Sequence, residues 1–130
     1  MPAFLHRYAD VKFALLRFVA GAMFACHGAQ KLLGAFGGQK VPLQSLMGVA
    51  GVIELVGGLL VAVGLFAGAA AFVCSGQMAA AYFMVHARQG LLPIENKGEL
   101  AVLYCFVFLY IASRGSGMFS VDAARRPRHH

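Results

Sequence analysis

The stretch Leu46-Met-Gly-Val-Ala-Gly-Val-Ile-Glu-Leu-Val-Gly-Gly-Leu-Leu-Val-Ala-Val-Gly-Leu-Phe66 decides the fold. It is a continuous apolar run of the length that crosses a bilayer as a helix, for which ~20 residues suffice. One residue breaks it, Glu54. A carboxylate at that depth costs roughly 2.5–3.5 kcal/mol on insertion scales, so it normally has a partner or a task. Arg17 interrupts the first apolar run in the same way. Two opposite charges in separate hydrophobic segments imply a polar interior in a small membrane bundle, and function is sought there.

Composition agrees. The 130 residues are 60% hydrophobic and 12% charged, whereas soluble domains average about 45–50% apolar and about 25% charged. A soluble core of this size could not hide so much apolar surface, so lipid is the solvent for much of it. The net charge is +6, and the basic residues mostly flank the apolar runs, which reads as orientation by the positive-inside rule. No basic face with interleaved aromatics is present, so nucleic acid is not an expected partner. Cys26, Cys74 and Cys105 lie one to a segment without a C-x-x-C pair, which suits helix packing and indicates no metal site. Arg17 also breaks the apolar stretch that a cleaved signal needs, and Lys31 closes a full-length span, so the first segment is read as retained.

The expected fold is all-α, a single domain over residues 1–130 built as a four-transmembrane-helix bundle. The helices run roughly over residues 10–33, 46–66, 67–87 and 98–113, with a short basic tail at 123–130. Continuous apolar runs without inside–outside alternation exclude barrel strands. Four spans place both termini on one side, and Arg7, Lys12, Arg114, Arg125, Arg126 and Arg128 make that side cytoplasmic. His129 and His130 are given no function. Gly48, Gly51 and Gly58 share a helical face with Glu54, and Gly21 and Gly28 share one with Arg17 and Lys31. The charged faces are therefore also the close-packing faces.

A rise of ~1.5 Å per residue puts Arg17 about 10 Å, Gln77 about 15 Å and Glu54 about 18 Å above the cytoplasmic boundary. Arg17, Glu54 and Gln77 are thus expected to form one polar layer. In it Arg17 and Glu54 either fix helix register as a pair or hold a ligand. His27 and Lys31 lie higher, at about 25 Å and about 31 Å. A buried neutral imidazole needs a partner and can exchange protons. Lys31 either snorkels to the outer headgroups or joins a site. Asn96-Lys-Gly-Glu99 has the form of a capping box, with Asn96 as N-cap and Glu99 at the third helical position. Asn96, Glu99 and Tyr104 are kept as secondary site candidates. His86 falls on the helical face opposite Gln77 and is read as interfacial.

Together these residues resemble the DoxX family of small bacterial membrane proteins. Four passages carry the resemblance: Arg17 with His27-Gly-Ala-Gln-Lys-Leu32; Gly51-Val-Ile-Glu-Leu-Val-Gly-Gly58 with Gly64-Leu-Phe66; Asn96-Lys-Gly-Glu-Leu-Ala-Val-Leu-Tyr104; and Gly115-Ser-Gly-Met-Phe-Ser-Val-Asp122. The resemblance implies a four-helix protein of the bacterial inner membrane. Some members are linked to quinone-dependent sulfur oxidation and others to oxidative-stress complexes, so quinone is the implied ligand and a soluble redox or oxidative-stress enzyme the implied partner. No haem, flavin or iron–sulfur pattern accompanies these residues. The expected role is a quinone-interacting membrane subunit that works with a redox partner, with a homo-oligomer as a further expected assembly. A small-solute or proton pathway and a membrane scaffold without catalysis are the alternatives.

Overall fold

The computed structural model describes residues 3–125, and every regular element among them is helical. The tail residues Arg126, Arg128, His129 and His130 lie outside the described residues. The elements are α1 Ala3–Arg7, α2 Ala9–Leu33, α3 Leu46–Val63, α4 Ala67–Gln89, α5 Pro93–Asn96, α6 Glu99–Arg114 and α7 Val121–Arg125. The sequence-based ends agree within three residues on every long helix.

Local chemistry sets the boundaries. Gly34, in the left-handed region at φ 69°, closes α2 and returns its amide to the Gln30 carbonyl. The Ser45 hydroxyl accepts from the Gly48 amide and opens α3. Gly64 ends α3 at φ 73°. It is irreplaceable on two counts, because an added Cβ there would overlap the side chain of Ser120 and come 3.2 Å from the Arg17 guanidinium carbon.

Two long helices, α3 (Leu46–Val63) and α4 (Ala67–Gln89), are apolar and long enough to cross a membrane. Helix α2 is longer but carries Arg17, His27 and Lys31, and α6 has 16 residues. All four wear the same surface, with Leu15, Phe18, Val56, Leu59, Phe72, Val73, Leu103 and Phe106 exposed. Arg17 and Glu54 are each only 2% exposed. Apolar side chains outside and charges inside is the arrangement that a lipid solvent selects.

Helix α2 packs along α3, α4 packs along α6, and α3 also meets α4. The α2–α3 contact depends on glycine. A Cβ on Gly21 would lie 2.6 Å from the Gly58 carbonyl oxygen, one on Gly58 would lie 2.6 Å from the Gly21 oxygen, and one on Gly28 would lie 2.6 Å from the Gly51 oxygen. The backbones touch directly, as small residues allow between membrane helices. Gly28→Ala is therefore expected to force the two helices apart and destabilise the protein by about 1–3 kcal/mol, the usual cost of overpacking. Thermal unfolding in detergent checks this, with Gly76→Ala as the comparison, since a Cβ at Gly76 meets nothing within 4 Å.

Candidate functional site

The α2–α3 register separates the two charges that the sequence had suggested as partners. Gly21 lies against Gly58 and Gly28 against Gly51 in this antiparallel pair. Glu54 is therefore level with the second half of α2, and Arg17 is level with the end of α3. Depth counting had assumed that the helices start at one height, whereas the first two turns of α2 project beyond the Gly64 turn. The expected layer of Arg17, Glu54 and Gln77 is thus corrected. Arg17 belongs to one end of the molecule, and Glu54 and Gln77 belong to a cavity further up.

Arg17 is held by main-chain oxygens alone among the described residues. Its Nε donates to the Val61 carbonyl at 3.0 Å, one terminal nitrogen donates to Ser116 and Met118, and the other donates to Phe119 at 2.8 Å. The planar fork of a guanidinium suits this set of diverging acceptors, and an ammonium could not match it. The same segment is tied from its other side. The Asp122 carboxylate accepts from the Ser116 hydroxyl at 2.5 Å and from the Phe66 amide at 2.8 Å, and the Asp122 amide donates to the Gly64 carbonyl. The Ser116 hydroxyl and the Phe66 amide hold the Asp122 carboxyl below the usual carboxylate range. Residues 115–122 thus form a knot that caps α4 and clasps Arg17, which explains the Gly115–Asp122 passage as structure.

The cavity lies among α2, α3, α4 and α6, with a volume of about 290 Å³, at the lower edge of the range typical of small-molecule sites. His27, Lys31, Glu54, Gln77 and Tyr104 line it together with Phe24, Met47, Met78 and other apolar side chains. Lys31 Nζ donates to Glu54 Oε2 at 2.5 Å. Its stem crosses Gly51, where an added Cβ would lie 3.1 Å from Lys31 Cβ. Glycine at position 51 therefore lets the lysine fold inward to the carboxylate, and snorkelling to the headgroups is not what the side chain does. Tyr104 stands edge-on to His27, with centroids 6.1 Å apart, and stacks on Phe108.

Two polar atoms in this cavity lack partners among the described residues: Gln77 Oε1 and Tyr104 Oη, both buried. Buried polar groups are nearly always paired, so each such case calls for an explanation. An unpaired acceptor and an unpaired phenol on residues that line one space form a docking pattern for a polar group.

Both π-helical turns of the chain border this space. One, Ile53–Gly57, carries Glu54, and the other, Tyr82–His86, carries His86 and Val85. A π turn inserts one residue and rotates the rest of its helix by about 100°, and such turns recur at functional sites. This rotation explains why His86, placed on the wrong face by an ideal wheel, lines the cavity. Lys97, also missed, reaches it because position 97 adopts a left-handed conformation at φ 61° after α5.

Asn96 and Glu99 do not form the expected capping box. Gly98 is the N-cap of α6, and no side chain caps the first amides of that helix. Asn96 instead closes α5 and knits the loop, donating to Tyr82 Oη and the Gly90 carbonyl and accepting from the Gly98 amide at 2.9 Å. Its own carbonyl meets His86 Nδ1 at 3.1 Å. Asn96 thus steadies the cavity wall through His86. Glu99 is exposed and outside the lining.

These features define a small helical membrane protein whose long helices turn their charges inward around a polar cavity. The family model for DoxX matches residues 13–87, and the chain belongs to the DoxX family. It is 43% identical over 125 residues to an uncharacterized protein of Haemophilus influenzae (strain ATCC 51907 / DSM 11121 / KW20 / Rd), covering 91% of this chain and 93% of that protein. No solved structure matches.

Proposed function

We propose that this chain is a quinone-interacting membrane subunit acting with a redox partner protein, and that the His27–Glu54–Gln77–Tyr104 cavity is where the ring binds. The observation that carries the reading is the pair of unpartnered buried atoms, Gln77 Oε1 and Tyr104 Oη, on two residues that line one partly apolar space. Their chemistry fits a ring bearing two oxygens. A carboxamide oxygen can only accept, so it suits the hydroxyl of the reduced ring. The phenol of Tyr104 donates or accepts and suits the ring in either form. Phe24 and Met78 provide apolar wall for the ring itself. The Lys31–Glu54 pair and His27 border the same space and provide groups able to hold or pass the protons that accompany quinone chemistry. Bound quinone would supply the two-electron chemistry, and the partner protein would supply or remove the electrons.

In this reading all four long helices cross the bacterial inner membrane, with both termini cytoplasmic. Arg7, Lys12, Arg114 and Arg125 then lie on the inner side. The cavity, near the other ends of α2 and α3, faces the outer half.

Calorimetric titration of a chainless benzoquinol into the protein in lipid nanodiscs tests the proposal. Native protein is expected to bind, and Gln77→Leu/Tyr104→Phe to bind at least about fivefold more weakly, since two hydrogen bonds of roughly 0.5–1.5 kcal/mol each are lost. Equal binding by the two proteins would refute the assignment.

A further inference from the structure

A second groove lies beside the cavity on the outward-facing surface of the bundle. It has a volume of about 370 Å³ and runs between α3 and α4. It shares Met47, Ala50, Gln77, Ala81 and Val85 with the cavity. Its remaining wall is apolar except for Arg88 at one end, and Leu46, Val49 and Met84 of that wall are among the exposed large hydrophobic residues. Gln77 therefore stands on the wall common to the cavity, which holds the Lys31–Glu54 pair, and to the more apolar groove.

We propose that the ligand is a membrane-resident amphiphile that reaches the cavity sideways from the bilayer, its polar head against Gln77 and Tyr104 and its hydrocarbon chain in the α3–α4 groove. This rests on the reading of the cavity as a ring-binding site and adds the route and the class of molecule that can use it. Two observations select a chain as the occupant of the groove. The groove adjoins the cavity along five shared residues, so a molecule seated across that edge has its head in one space and its chain in the other. Its far side lies among side chains that face lipid, where an apolar chain needs no desolvation and a water-soluble solute would have to leave water. Lipid tails are as apolar as the groove wall, so the chain gains little from the transfer itself. Its contribution is to hold the head at the mouth of the cavity, which raises the local concentration of the head.

Ala80 lines the groove and not the cavity, which makes Ala80→Phe a plug for the chain alone. Val73 lines a different lipid-facing groove beside Val56 and Leu60, so Val73→Phe is the control. Binding to the native protein and both variants is measured in nanodiscs with a decyl-substituted benzoquinol and with the same ring carrying methyl in place of decyl. The expected result is at least about tenfold tighter binding of the decyl ligand by native protein and Val73→Phe. In Ala80→Phe that advantage should disappear while the methyl ligand binds as before. Equal affinity of native protein for the two ligands, or an Ala80→Phe variant that keeps the decyl advantage, overturns the lateral route and leaves the ring site standing. Failure of native protein to bind either ligand overturns both readings. If Ala80→Phe weakens both ligands alike, photolabelling of native protein by a decyl chain ending in a diazirine decides. Label on Val49, Ala80 or Met84 supports the route, and label confined to Val56, Leu60 and Val73 refutes it.

Discussion

Arg17→Ala is expected to lower stability in detergent by about 3–5 kcal/mol, since each buried acceptor left unpaired costs roughly 1–3 kcal/mol. Four carbonyls accept from this one guanidinium, those of Val61, Ser116, Met118 and Phe119, and among the described residues only the Val61 oxygen has a second donor, the Gly64 amide. They belong to two separate parts of the chain, the end of α3 and the segment after α6. Losing the side chain therefore releases the knot as well as its own bonds. Arg17→Lys should recover less than half of the loss, because one ammonium cannot address acceptors spread around a planar fork. Local opening should be visible too. Amide exchange is expected to rise at residues 116–122 and at Phe66, whose amide is held by Asp122. A lysine variant as stable as the native protein would show that charge alone, rather than the fork, holds the segment.

The helical architecture was legible because lipid imposes a strong pattern. Unbroken apolar runs gave the long helices, whose ends the structure places at the Ser45, Gly34 and Gly64 caps. The inward direction of Arg17 and Glu54 was legible as well, since each shares a face with glycines that pack backbone to backbone. Pairing was not legible. Which charge meets which depends on the axial offset between α2 and α3, and that offset is set by where Gly21 and Gly28 seat against Gly58 and Gly51. Nothing in spacing along one helix reports it. The π turns were equally hidden, because no local sequence rule signals an inserted residue, and without them His86 falls on the wrong face. Main-chain acceptors leave no mark on side-chain identity, so an arginine bound wholly by carbonyls resembles one awaiting a carboxylate. Gln77 and Tyr104 were visible as polar residues in apolar helices. That they lack partners emerged only from the packing around them.

Lys31→Met isolates the other buried charge. Glu54 is 2% exposed, and Lys31 Nζ is its one ion-pair partner among the described residues. Removing the ammonium leaves a carboxylate uncompensated in low dielectric, at an expected cost of about 3–5 kcal/mol. Glu54→Gln should be milder, because the lysine is 23% exposed along its side chain and can turn toward water. The double variant Lys31→Met/Glu54→Gln removes both charges and should be clearly more stable than the sum of the single losses predicts. Thermal or denaturant unfolding of the four proteins yields the coupling directly, expected within the roughly 0.5–3 kcal/mol found for residues in contact. The same cycle run on Arg17→Ala with Glu54→Gln should be additive within about 0.5 kcal/mol, as for distant sites. Strong coupling between Arg17 and Glu54, with none between Lys31 and Glu54, would return Arg17 to the polar chamber and undo the register argument. The predicted contrast has a functional meaning beyond stability. A carboxylate neutralised by a flexible, partly exposed lysine can be uncovered when that lysine swings away, whereas one locked in an arginine fork cannot. The pair that borders the cavity is the one with a partly exposed member, and the fully buried arginine lies at the opposite end of the bundle.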